Sequence, residues 1–166
     1  MPRTKSNNFY IGIDPGKSGG LVCIHESDRF VDYTPMPGSE AEIWDWFIPY
    51  TNRQRRVFGA IERVHSMPKQ GVKSMFSFGT NYGSLRMALA ASGTSWFDVT
   101  PQGWMKCLGI SSRKDLEGNA WKDHLCSIAR AMYPDLPIWK EKRALGKQRA
   151  VADALLIAEY CRRTRS

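Results

Sequence analysis

One stretch near the start of the chain, Tyr10-Ile-Gly-Ile-Asp-Pro-Gly-Lys-Ser-Gly-Gly-Leu21, restricts the fold more than any other. Residues 9–13 form a short apolar run with β-branched members, the pattern of a buried strand. The run stops at Asp14, and Pro15-Gly16 forces a tight turn. A second apolar run, Leu21-Val-Cys-Ile24, follows Gly19-Gly20, so the unit reads as a hairpin with one carboxylate at its mouth. Taken alone, Asp14 has an ordinary explanation, because Asp before Pro-Gly is common turn chemistry. The other explanation is a functional acid held by the turn, and acids placed the same way elsewhere in the chain favour it.

Residues 29–33 read as a third strand, closed by Thr34-Pro-Met-Pro-Gly38. Ser39 and Glu42 have the spacing of a capping box and predict a helix start, with Ile43, Trp46 and Phe47 as its apolar stripe. After the basic loop at residues 53–56, residues 57–61 form the next strand, which also ends in an acid, Glu62. The stretch 63–83 mixes Gly, Lys, small polar and aromatic residues; a helix starts near its middle and runs to Ala91, where Ser92-Gly93 ends it. A strand at 96–99 and a short helix opened by Thr100-Pro101 come next, the helix carrying Trp104 and Leu108. Asn119 caps a helix that runs to Met132 and stops at Tyr133-Pro134. Residues 138–147 read as a basic linker, and a final helix spans about 149–162. The expectation is one domain over residues 1–166, with 1–8 and 164–166 flexible.

Strands followed by helices, in a chain long enough to cover both faces of a sheet, indicate an α/β fold. The hydrophobic fraction of 42% is that of a soluble globular protein, and no apolar run is long enough to span a membrane. The first residues lack the apolar centre of a secretory signal. Cys23, Cys107, Cys126 and Cys161 are widely spaced among apolar neighbours, so they are expected as reduced core thiols in a cytoplasmic protein. A net charge of +8 points to a polyanionic partner.

A third acid joins the two at strand ends. In the last helix Asp153, Leu156, Ile157 and Tyr160 are spaced to share one face, which carries Asp153 toward the core. An acid on a buried stripe is costly without a compensating cation. If the helix crosses the strand ends, Asp14, Glu62 and Asp153 meet, and a divalent metal is the usual relief for three gathered carboxylates. Hard oxygen donors suit Mg²⁺, with Mn²⁺ able to substitute. Two such ions can activate a water and stabilise the leaving oxygen of a phosphodiester. The competing explanation for Asp153 is an acid placed at a helix start by the macrodipole.

Three blocks, Ile11-Gly-Ile-Asp-Pro-Gly16, Ala60-Ile-Glu-Arg-Val-His65 and Ala152-Asp-Ala-Leu-Leu-Ile-Ala158, together resemble the signature blocks of RuvC-type Holliday junction resolvases, in the family's order. The Met-Pro-Lys-Gln-Gly and Phe-Ser-Phe-Gly segments are most similar to phage-type and chloroplast-type members. The resemblance covers roughly residues 9–163. It implies an RNase H-like fold, a mixed five-stranded sheet flanked by helices. It also implies a homodimeric crossover junction endodeoxyribonuclease of DNA recombination and repair, which nicks two symmetric strands of four-way junction DNA with Mg²⁺. By the same resemblance Asp14, Glu62 and Asp153 are catalytic metal ligands, and Lys122 matches a lysine that faces the scissile phosphate. The chain departs from the family one turn before the last acid. There the family keeps Asp or His as a fourth ligand, and this sequence reads Gln148, Arg149 and Ala150. Two explanations stand: a missing ligand, or Arg149 lending its own charge to the phosphate.

The candidate DNA contacts are Lys17, Lys69, Lys73, Phe76, Asn81, Tyr82, Lys106, Lys147 and Arg149. Cations interleaved with aromatics can neutralise phosphate while rings stack on unpaired bases. Phe78 reads instead as core, and His65 and His124 as structural. A junction-binding protein that no longer cuts, and an RNase H-like nuclease acting on other branched DNA or hybrids, are the alternatives. An actin-like sugar kinase shares the Asp-x-Gly turn but needs two domains, more than 166 residues supply. The expected location is the cytoplasm of a bacterial or phage-infected cell, with an organelle as second choice.

Overall fold

The computed structural model describes residues 7–27, 30–52, 54–63 and 71–165. Two apolar runs joined by Asp14-Pro-Gly16 become strands β1 (Asn8–Asp14) and β2 (Gly20–His25), paired antiparallel with Asp14 opposite Gly20. Gly16 takes φ 103°, a left-handed conformation that favours glycine, and its carbonyl accepts from Gly19 N–H at 2.9 Å to close the turn. β3 (Val31–Pro35) adds antiparallel to β2. β4 (Arg56–Glu62) pairs parallel with β1, and β5 (Ser95–Val99) parallel with β4. The five strands lie in the order β3-β2-β1-β4-β5, the mixed five-stranded sheet that the resemblance implies.

Helices cover both faces. On one, α1 (Glu40–Phe47) and α2 (Val72–Ala91) bury Ile43, Phe47, Leu85, Ala88 and Leu89 against Phe9, Ile11, Ile13, Leu21 and Ile61. The capping box at Ser39 and Glu42 is formed, each side chain accepting from backbone at the other end of the turn. Only the second half of α2 is packed in this way; residues 71–77 are exposed. On the opposite face, α3 (Pro101–Cys107), α4 (Gly118–Met132) and α5 (Leu145–Arg165) pack against Tyr10, Val22, Ile24, Ala60 and Val99.

Several boundaries differ from expectation, each for a local reason. Asn8 already pairs with Arg56 in β1, and Thr164 and Arg165 belong to α5, so the ends expected as flexible are partly structured. The third strand lies two residues later than expected. α4 begins at Gly118, with Glu117 rather than Asn119 at the cap position and no side-chain cap bond. The basic linker contains a 3₁₀ turn, Pro137–Lys140, and α5 starts within it at Leu145. Gln148 ties the start of α5 to that turn, its Nε2 donating to the carbonyls of Ile138 and Glu141. Cys23 and Cys161 are buried thiols as expected, but Cys107 is exposed and Cys126 half-buried. No helix among the described residues is long and apolar enough to cross a membrane.

The main departure concerns α5. The sequence suggests one buried face, yet residues 150–152, 154–159 and 161 are all buried. The helix sits over β1, β2 and β4 with α4 on its outer side. At Gly12 the approach is so close that a Cβ would collide with the backbone of Ala154 and Ala158. Backbone atoms cannot swing aside as a flexible side chain does. Gly12→Ala is therefore expected to destabilise the protein by about 3 kcal/mol or more, beyond ordinary overpacking. Urea unfolding monitored by far-UV circular dichroism measures this; an unchanged midpoint would show that α5 is not seated on β1.

Candidate active site at the ends of the central strands

Strand periodicity decides which side each acid faces. Along β1, Phe9, Ile11 and Ile13 belong to the core under α1 and α2, while Tyr10 belongs to the core under α5. Asp14 shares the parity of Tyr10 and Gly12, so it faces α5. On β4, Ala60 lies in the α5 core and Ile61 in the other, which sends Glu62 to the α5 side as well. The parallel register, Gly12 opposite Ala60 and Ile13 opposite Ile61, brings Asp14 and Glu62 to neighbouring strand ends. Asp153 comes to the same place from α5, one residue before Ala154 at the close approach to Gly12.

The electrostatics agree with this placement. Burial, then repulsion from Asp153 and Glu62, holds the Asp14 carboxyl well above the usual carboxylate range. Burial is also the main cause that pushes Asp153 up to about 7, with Lys122 opposing and Glu62 adding to the rise. Glu62 is raised by burial, against the lowering effects of its Trp104 hydrogen bond and of Lys122. Lys122, half-buried on α4, is thus the cation that acts on all three acids. Asp153 Oδ1 is buried and accepts no hydrogen bond.

That orphaned oxygen and the all-carboxylate donor set fit a hard divalent cation. As they stand, however, no three His, Cys, Asp or Glu side chains among the described residues are arranged to hold one. At Glu62 one oxygen is already engaged, Oε2 accepting from Trp104 Nε1–H at 2.7 Å. The sequence shows Trp104 only as an apolar residue of a short helix; its indole N–H lies 42 positions from the acid it meets.

The remaining candidates separate into exposed and engaged residues. Lys17, Lys73, Lys106 and Lys147 are exposed, and Phe76 is 77% exposed on the uncovered start of α2. Lys69 and His65 lie outside the described residues. Asn81 is bound into the fold: its Oδ1 accepts from Gly16 N–H at 2.9 Å and so holds the turn after Asp14. Tyr82 gives its hydroxyl to Asp98 at 2.7 Å and stacks on Phe78, 6.2 Å between ring centroids. Phe78 itself is half-buried and covers the turn at Gly16 rather than filling the main core. Arg149 is taken by Asp123 in a two-point pair, Nε to Oδ1 at 2.7 Å and its second nitrogen to Oδ2 at 2.9 Å. Glu159 is buried and bound by Tyr133, Arg162 and Arg163, away from the acid cluster. His124 lies against Trp121, 5.5 Å between ring centroids.

Three half-buried carboxylates of raised pKa give the metal-free protein a definite pH response. An acid whose folded pKa exceeds its unfolded value binds more protons when folded, so stability falls as pH rises from about 4 to about 7 and stays low above that. Asp153→Asn removes the charge and keeps the shape. In chelator at pH 8 its melting temperature should exceed wild type by roughly 3–6 °C, corresponding to relief on the order of 1–2 kcal/mol. At pH 4 the two should melt together. Scanning calorimetry at both pH values checks this, and equal midpoints at pH 8 would show that Asp153 is not strained by its neighbours.

No protein-family model matches the chain, and no curated protein matches it. Solved structures do. Thermus thermophilus RuvC in complex with a Holliday junction substrate aligns with TM-score 0.56 and 16% identity, over 95% of this chain and 96% of that one. A second T. thermophilus RuvC structure aligns with TM-score 0.56 and 14% identity, over 94% and 96% of the two chains. The yeast mitochondrial Holliday junction resolvase aligns with TM-score 0.44 and 14% identity, over 96% of this chain and 78% of that one. The fold is that of RuvC, an RNase H-like fold.

Proposed function

We propose that this chain is a structure-selective endodeoxyribonuclease that resolves four-way DNA junctions as a homodimer, nicking two symmetric phosphodiester bonds with Mg²⁺ or Mn²⁺. The observation that carries the reading is the convergence of Asp14, Glu62 and Asp153, with Lys122, on one face of a sheet with the RuvC fold. The T. thermophilus RuvC neighbour in complex with a Holliday junction substrate suggests the substrate class. The net charge of +8 suits a polyanion, and two symmetric nicks call for two copies of the site.

Asp14, Glu62 and Asp153 would hold the metal, which when bound supplies a nucleophilic water at neutral pH and Lewis-acid stabilisation of the leaving oxygen. The rest is done by the chain. Lys122 offsets the negative charge of the three acids and meets phosphate charge that arrives with the DNA. Asn81 and Phe78 fix the turn that carries Asp14, so the carboxylate is positioned before substrate binds. Lys73 and Phe76, exposed together at the start of α2, offer a cation and a ring to a strand near the β4 end. Lys17, Lys106 and Lys147 remain available for phosphates, whereas Asn81, Tyr82 and Arg149 each already serve a protein partner.

One observation favours a second reading, junction binding without efficient cleavage. Where the family keeps its fourth ligand, Arg149 is paired with Asp123, so that position adds no donor to the site.

Incubating the protein with a synthetic four-way junction, plain duplex and an RNA–DNA hybrid, in Mg²⁺ or Mn²⁺, separates the readings. Paired symmetric nicks in the junction alone are expected. Binding with no cut in either metal would establish the second reading, and cutting confined to the hybrid would overturn both. Asp14→Asn should lose at least about a hundredfold in cleavage rate, as expected when transition-state charge stabilisation is removed. It should bind the junction as tightly as wild type or more so, because one negative charge facing phosphate is gone. Turnover equal to wild type would remove Asp14 from the metal site. In gel-shift titrations across salt concentration, Lys73→Ala should flatten the slope of log K against log salt by about one. Phe76→Ala should weaken binding with the slope kept. A slope unchanged in Lys73→Ala would place that residue off the DNA.

A further inference from the structure

We infer that Trp104 is a positioning residue, holding one oxygen of Glu62 so that the other is presented to the metal; the inference rests on the metal-site reading above. Three observations lead to it. Trp104 Nε1–H donates to Glu62 Oε2 at 2.7 Å, a short bond to an acid at the strand end. The indole is 2% exposed and packed in the core under α5, so the donor cannot swing away. The segment carrying it is itself fixed to the end of β4. Glu62 lies opposite Val99 in the parallel pair, and Arg63 N–H donates to the Val99 carbonyl at 2.7 Å. Thr100 then caps α3, its Oγ1 accepting from Gly103 N–H at 3.1 Å, and one helical turn places Trp104 back over Glu62.

A carboxylate has two oxygens, and this bond commits Oε2. Glu62 is left to meet a cation through Oε1 from a fixed direction, with no rotamer search when the ion arrives. Such outer partners commonly matter to metal affinity by about tenfold or more. An opposite effect is physically available, since the indole competes for lone-pair density and its loss would free Glu62 to bind through both oxygens. The core position of the ring decides in favour of positioning, because removing the donor leaves Glu62 Oε2 without its protein partner and the half-buried side chain without a fixed orientation.

The test uses the full chain and Mn²⁺ alone, with free ion counted by its electron paramagnetic resonance signal, so no cleavage is needed. Trp104→Phe keeps the apolar ring and removes the N–H; it should weaken Mn²⁺ binding by about tenfold. The same substitution in a Glu62→Gln background should add little, because Trp104 acts through Glu62. A merely structural role would lower the melting temperature and weaken binding equally in both backgrounds. Equal or tighter Mn²⁺ binding by Trp104→Phe overturns the inference and leaves the metal site standing. No Mn²⁺ binding by wild type overturns the metal site and this inference with it. A second measurement leaves the tryptophan intact: the Trp104 indole N–H resonance should shift on Mg²⁺ titration, and the shift should vanish in Glu62→Gln. A resonance indifferent to Mg²⁺ that wild type binds would also overturn it.

Discussion

The structure depends on how closely α5 lies on β1. At Gly12 the helix backbone meets the strand with no side chain between them, and residues on every side of α5 are buried as a consequence. This contact sets the height and rotation of the helix over the sheet. It therefore sets the place of Asp153 relative to Asp14, which follows Gly12 by two residues on the same face. A bulkier residue at Gly12 would raise the helix and separate the acids even if the chain still folded. The core and the candidate site are in this sense one piece of packing.

That packing gathers negative charge in a place poor in water, which the fold must tolerate in the absence of a cation. Burial raises all three carboxyls, and mutual repulsion adds to it at Asp14 and Asp153. Lys122 and the Trp104 indole work in the other direction, one as a charge and the other as a hydrogen-bond donor. Neither reaches Asp153 Oδ1, which stays without a partner. Function explains such a cost better than stability does: a site satisfied by its own side chains would have nothing to offer a divalent ion.

What the sequence made legible was local. The Asp14-Pro-Gly16 turn, the Ser39–Glu42 capping box and the start of α3 at Thr100-Pro101 each depend on neighbours within a few residues, and each formed as the spacing indicates. The acids at strand ends were legible because each closes an apolar run, whereas the side each faces follows from the register and cores of the folded sheet. The contacts that fix the site in detail were not. Trp104 meets Glu62, Asn81 meets the turn at Gly16, and Arg149 meets Asp123 across long separations that no periodicity encodes. The burial of α5 was underestimated for a related reason. Its alanines look neutral in a helical pattern, and only the bare backbone of Gly12 shows that small residues are needed at the contact.

Arg149 illustrates how a substituted position acquires a different task. A free guanidinium beside the acids would be a natural partner for a scissile phosphate, but this one is held by both oxygens of Asp123, and the Arg149 side chain is only 18% exposed. The pair joins α4 to α5 at the site. Asp123 directly follows Lys122 on α4, and at 49% side-chain exposure its pair with Arg149 is a surface link of modest strength. Lys122 itself lowers all three acids. An arginine committed to Asp123 in this way neither adds a carboxylate or imidazole donor at its position nor offers a free positive charge.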